Sequence, residues 1–129
     1  MFYLNTGAGT ADINDADGTS QFVMDAPSAG KINLAGCFVR WSEATGSQTT
    51  TVGVLSIEVA GTEVATLTAS QGGAIGDTQV FVKSSETFNP WLEFDSGDVI
   101  EVKVKTQAVG GTVTGDGEVH LDLELAVAI

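Results

Sequence analysis

Four polar residues, Glu118, His120, Asp122 and Glu124, occupy every second position of the segment 118–124. Successive strand side chains point to opposite faces, so all four share one side, roughly 7 Å apart between neighbours. A row of this kind can supply imidazole and carboxylate ligands to a metal, or the paired carboxylates of a glycoside hydrolase. A hydrolase also needs a long concave cleft, which a chain this short rarely builds. The expectation is therefore the plainer one: an outward polar face of a half-buried strand, with Lys103 and Lys105 as cross-strand partners.

Asn14-Asp15-Ala16-Asp17-Gly18 has the look of a calcium loop. Aligning Gly18 with the obligatory glycine puts Ile13 at the first carboxylate position and Met24 at the bidentate glutamate, which excludes an EF-hand. Asp12, Asp15 and Asp17 retain only the capacity to gather a cation weakly. Nucleophilic catalysis has less to stand on. There is one histidine, no Gly-x-Ser-x-Gly, and the single cysteine, Cys37, has no identifiable base. Gly7-Ala8-Gly9 starts like a dinucleotide fingerprint, but Asp12 stands at the third glycine position and no βα unit surrounds it. The sequence thus predicts no catalytic residue, no metal and no cofactor. Of the aromatics Trp41, Phe88, Trp91 and Phe94, only Trp91, after Asn89-Pro90, sits where a loop would expose a platform for a ligand such as a sugar ring. The expected role of all four is in the core.

The elements that must hold these residues are strands. Val119, Leu121, Leu123, Leu125, Val127 and Ile129 alternate with Glu118, His120, Asp122, Glu124, Ala126 and Ala128, the signature of a strand with one buried face. Similar signals recur at 21–25, 31–42, 50–60, 63–69, 78–83, 91–94, 98–106 and 112–129, the last broken near Gly115, with glycine-rich turns between them. No stretch keeps a 3.6-residue apolar period. The fold class that follows is all-β: a single-domain β-sandwich over 21–129, about eight strands in a jelly roll. Residues 1–20, small, polar and acidic, read as a flexible arm whose Asp12, Asp15 and Asp17 meet a partner.

One hairpin carries a conflict. With Gly61-Thr62 as its two-residue loop, Val59 faces Val64 and Ile57 faces Thr66. Ala65, Leu67 and Ala69, with Val52 and Val54, then fall opposite Leu55, Ile57 and Val59. Either a bulge near Gly53 resets the register or both faces are covered. Covering both faces makes Val52, Val54, Ala65 and Leu67 an oligomer interface, and a homotrimer is the expectation drawn from it.

Composition removes other classes. Five Lys and Arg against 17 Asp and Glu leave a formal charge of −12 over 129 residues. Binding to nucleic acid or to an anionic membrane is disfavoured, because both depend on Lys and Arg. A lone cysteine cannot form an internal disulfide, and the N-terminus lacks the basic and long apolar stretches of a signal peptide. Synthesis in a reducing cytoplasm is expected.

Phe94-Asp95-Ser96-Gly97-Asp98-Val99-Ile100-Glu101-Val102-Lys103-Val104 is an aromatic residue, a Gly-Asp turn and a strongly alternating strand. It is similar to the late strands of small trimeric jelly rolls, among them the tumour-necrosis-factor-like domains and the bacteriophage head decoration, or cement, proteins. The short Gly/Thr/Val-rich chain looks more like the latter. The resemblance covers roughly residues 21–129 and carries over no functional residue. It implies a structural virion protein on the capsid exterior, partnered by the major capsid protein, that ties coat subunits together. A phage fibre, receptor-binding or carbohydrate-binding module is the alternative.

Overall fold

The alternation along each strand selects a buried face, and two sheets close those faces on each other. The computed structural model describes residues 2–84, 91–113 and 115–126, with the backbone alone for residues 2–8 and 91. Among these, the strands are β1 (Phe2–Asp12), β2 (Ser20–Asp25), β3 (Gly30–Asn33), β4 (Phe38–Trp41), β5 (Val54–Val59), β6 (Thr62–Thr68), β7 (Thr78–Val80), β8 (Val82–Lys83), β9 (Trp91–Phe94), β10 (Val99–Thr106) and β11 (Asp116–Leu125). The six-stranded sheet has the order β7-β4-β11-β3-β9, with β1 also on β11, and the five-stranded sheet has the order β2-β10-β5-β6-β8. Every pairing is antiparallel. The all-β sandwich expected from the sequence is the fold.

The described strands number eleven rather than eight. The expected 31–42 strand is cut by a 3-10 turn at Leu34–Gly36, and the 78–83 strand changes sheets at Phe81. The chain crosses between sheets at almost every step, and only β3–β4 and β5–β6 stay in one sheet. Ile32, Val39, Trp41, Phe94, Val119, Leu121, Leu123 and Leu125 from one sheet meet Leu55, Ile57, Ala65, Leu67, Ile100, Val102 and Val104 from the other, all buried. Each such Val, Leu or Ile contributes about 1.5–3 kcal/mol. Val127 and Ile129, expected to continue the last strand, lie outside the described residues.

The flexible arm is corrected. Residues 2–12 form β1, which runs antiparallel to β11 from Phe2↔Leu125 to Asp12↔Asp116 with a register shift between Thr6 and Gly9. Ala11 and Ile13 are wholly buried, and the Ile13 carbonyl accepts the Ala108 N–H at 2.8 Å. Few side chains here are large, so the segment looks unanchored as text. Its anchor is the backbone ladder to β11, which composition does not register.

The hairpin conflict is resolved inside the hairpin. Its loop is Ala60-Gly61, both with positive φ (51° and 83°), and Val59 pairs with Thr62. Positive φ at both loop positions is the conformation of a type I′ turn, which suits the twist of the flanking strands. Continued without interruption, that register would set Ile57 against Val64 and Leu55 against Thr66. A shift between Ile57 and Glu58 instead gives Ile57↔Ala65 and Leu55↔Leu67. The extra residue, Val64, puts Ala65 and Leu67 on the core face, where they are 0% and 2% exposed. The interface proposed from Val52, Val54, Ala65 and Leu67 is therefore corrected: two of the four are core, and Val52 and Val54 are half-buried.

Candidate functional site

Because β11 presents Val119, Leu121, Leu123 and Leu125 to the core, Glu118, His120, Asp122 and Glu124 face outward from the middle of the six-stranded sheet. Each meets a different neighbour. Arg40 on β4 is the register partner of Glu118, and Phe38 that of His120. The Phe38 and His120 rings stack with centroids 4.6 Å apart and planes 9° apart. His120 Nε2 lies 3.6 Å from Glu118 Oε2.

Asp122 accepts a hydrogen bond from Asn33 Nδ2 at 3.2 Å. Its carboxylate also fills the space that a side chain on Gly36 would take, so the 3-10 turn presses its backbone onto β11 there. Glu124 pairs in register with Lys31, which pairs in turn with Glu93 on β9, giving an acid–base–acid row across three strands. The four residues are thus set out along a face and do not converge on a point. Asn33, Gly36, Phe38 and Arg40 are the partners that sequence reading missed. The alternation of 31–42 holds the signal, since Lys31, Asn33, Phe38 and Arg40 are the residues it leaves off the core.

Lys103 and Lys105, expected across from this row, belong to the other sheet. Lys103 Nζ lies 3.4 Å from Glu58 Oε1 and 3.6 Å from Glu101 Oε1, and Lys105 Nζ lies 2.8 Å from Glu63 Oε1. The hydrogen bond from Lys105 holds the Glu63 carboxyl below its ordinary range, and that to Glu58 raises Lys103. These pairs separate Glu58 and Glu63, which the hairpin register sets opposite each other.

The three early aspartates diverge as well. Asp12 Oδ1 accepts the Asn14 N–H at 2.9 Å, Asp15 Oδ2 accepts from Gln21 Nε2 at 3.0 Å, and Asp17 Oδ1 accepts the Gln107 N–H at 2.6 Å. They do not lie on a free arm: they stitch the β1–β2 connection to β2 and to the end of β10. Burial, opposed by the Asn14 hydrogen bond and reinforced by Asp116 across the ladder, raises the Asp12 carboxyl. Its contribution to stability is therefore complete below the unfolded-state value and is lost as pH rises through the raised one. Among the described residues, no three His, Cys, Asp or Glu side chains are placed to hold a metal ion.

Trp41 is buried, and its indole N–H donates to Gln79 Oε1 at 2.8 Å. The same oxygen accepts the Ser70 N–H at 3.0 Å, while Gln79 Nε2 donates to the Thr68 carbonyl at 2.9 Å. Trp41 and Phe94 are core residues, as expected. The Trp91 side chain and Phe88 lie outside the described residues, although the Trp91 backbone pairs with Asn33 beside Asp122.

Cys37 Sγ sits between the Asn33 carbonyl at 3.3 Å and the Asp122 N–H at 3.4 Å, in a wholly buried position. Burial pushes its thiol up from 9.0 to about 11. A raised value means that the stability it confers is complete below pH 9 and is lost as pH climbs toward 11. A shift of that size corresponds to about 3 kcal/mol at the end of that window. Urea midpoints measured from pH 8 to 11 will fall for the native chain and fall less for Cys37→Ala, after each is referred to its own value at pH 8.

No protein-family model matches the chain, and a search of curated proteins returns no match. Among solved structures it is similar to the CBM36-1 domain of a multidomain xylanase from the hindgut metagenome of Trinervitermes trinervoides, with 13% identity, 98% of this chain and 100% of that chain covered, and a TM-score of 0.47. At that level the likeness carries no argument.

Proposed function

We propose that the chain is a non-catalytic attachment module that engages a macromolecular partner through the outward face of its six-stranded sheet. The observation that carries this is the pre-ordered face around β11, where Phe38 stacks on His120, Asn33 holds Asp122 and Arg40 stands beside Glu118. Side chains fixed before contact lose less entropy on binding, and their spread suits a broad partner. Four cavities lined by described residues measure about 240–280 Å³, each below the usual range for small-ligand sites.

In its finer form, the partner is the protein lattice of a virion head, and the chain is a decoration protein there. That form rests on the resemblance of residues 94–104 and on the charge of −12, which matches a basic partner surface. Cosedimentation with undecorated heads of the virus that carries the gene tests it, with insoluble xylan and cellulose as parallel arms. The native chain is expected to pellet with heads and to release as salt rises. Glu118→Lys combined with Phe38→Ser should weaken binding at least tenfold without altering the far-ultraviolet spectrum. Binding to heads that ignores these substitutions would remove the assigned face. Binding to polysaccharide alone would identify a carbohydrate-binding module instead.

A further inference from the structure

Ser28, Thr45, Gln48 and Ser56 are the buried polar side chains among the described residues, and one of them has nothing to bond to. Ser28, Thr45 and Gln48 each donate to a backbone carbonyl. Ser56 is 2% exposed, and its hydroxyl has no hydrogen-bond partner among the described residues. A buried hydroxyl left unsatisfied destabilises the free chain, so the position calls for an occupant.

The surroundings say which kind. Ser56 stands on β5 between the core residues Leu55 and Ile57, so its side chain faces outward from the five-stranded sheet, with Lys103 on β10 and Thr66 on β6 as register partners. Ion pairs surround it. Lys103 Nζ lies 3.4 Å from Glu58 Oε1 and 3.6 Å from Glu101 Oε1, and Lys105 Nζ, 2.8 Å from Glu63 Oε1, reaches across β5 from β10 to β6. A hollow of about 240 Å³ opens between Gly18, Ser56, Glu58, Glu63, Lys103 and Lys105. At about 30 Å³ per water molecule it has the room of about eight waters, which suits one sugar ring rather than a drug-sized ligand.

A charged ligand fits this hollow poorly. A cation must displace a lysine and an anion must displace a carboxylate, and either leaves a partner uncompensated beside Glu58 and Glu101, whose side chains are only 19% and 21% exposed. A hydroxyl group fits, because it donates to a carboxylate and accepts from an ammonium or from Ser56 without changing the charge. Two adjacent hydroxyls span two such sites at once. We propose that this hollow binds an uncharged vicinal diol, as one pyranose ring of a sugar presents, with Ser56 at its base, Lys103 and Lys105 as donors and Glu58 and Glu63 as acceptors. It lies on the opposite face of the sandwich from the β11 row and stands apart from the attachment reading.

Amide NMR spectra of the full chain, titrated with the methyl pyranosides of glucose, galactose and mannose, test it. At least one of them should give saturable shifts at millimolar concentration, centred on Ser56, Lys103 and Lys105, and should raise the melting temperature. Ser56→Ala adds no bulk and removes the orphan hydroxyl, so it should melt at or above the native temperature while binding the sugar at least fivefold more weakly. A merely structural serine would not give that pairing. Lys105→Met should weaken binding to a similar degree. Glu118→Lys with Phe38→Ser should leave the sugar shifts unchanged, and Ser56→Ala should leave binding to heads unchanged, so failure of one site is distinguishable from failure of the other. No saturable shift with any of the three pyranosides, shifts that survive Ser56→Ala, or saturation of the same amides by sodium sulfate or glycine alone would each overturn the proposal.

Discussion

A chain that begins at residue 14 is expected to lose cooperative folding, with no thermal transition and a far-ultraviolet spectrum without strand signal. β11 is the central strand of the six-stranded sheet, and β1 covers one of its edges along its whole length. Removing β1 leaves that run of backbone unpaired next to Val119, Leu121 and Leu123, all wholly buried. It also removes Ala11 and Ile13 from the core and the tie from Ile13 to Ala108. Truncating a buried Ile to Ala alone costs about 2–5 kcal/mol, against a total stability of about 5–15 kcal/mol for a typical domain. The companion variant Ile13→Ala should therefore remain folded but melt well below the native chain. A chain lacking residues 1–13 that melted within a few degrees of the full one would show the β1 ladder to be dispensable and would restore residues 1–20 as an arm.

The parts of this fold that sequence reading recovers are those written in side-chain alternation. The inward set of β10, Ile100, Val102 and Val104, and that of β11 from Val119 to Leu125, emerge from a period of two, because burial of one sheet face imposes it directly. What escapes is held by backbone and by geometry. Gly9, Thr10 and Ala11 lie in a strand because β11 offers them a ladder, and no local property of those residues says so. The polar stretch between β4 and β5 reads as a loose loop, yet Thr45 and Gln48 are buried. Gln48, at a φ of 47°, donates to the Ser70 carbonyl at 3.1 Å and accepts the Gly53 N–H at 2.8 Å. For the candidate site, the outward row of β11 was legible, but its partners were not. Lys103 and Lys105 have the right charge and spacing to face Glu118 and Asp122, and only sheet order, a long-range property, assigns them to Glu58, Glu101 and Glu63.

Leu67→Asp and Val54→Asp, which an oligomer interface would make equivalent, should behave oppositely. Leu67 is 2% exposed and faces Leu55 across the hairpin, inside the layer shared with Val102 and Val104. An aspartate there would be enclosed with Leu55 in the core, and a buried charge costs about 3–5 kcal/mol beyond the packing lost with the leucine. The expected result is a chain without a folded baseline in urea. Val54 lies one position off the core face, is half-buried and pairs with Thr68, so Val54→Asp should cost about 1 kcal/mol. Urea titrations followed by tryptophan fluorescence at low micromolar concentration separate the two, because the fully buried Trp41 indole reports loss of the core. The contrast depends on one extra residue: without the bulge at Val64, Leu67 would face solvent and its substitution would be the mild one. Two folded variants that differ from the native chain only in assembled mass would return Leu67 to a surface and undo the hairpin register on which the core of the five-stranded sheet rests.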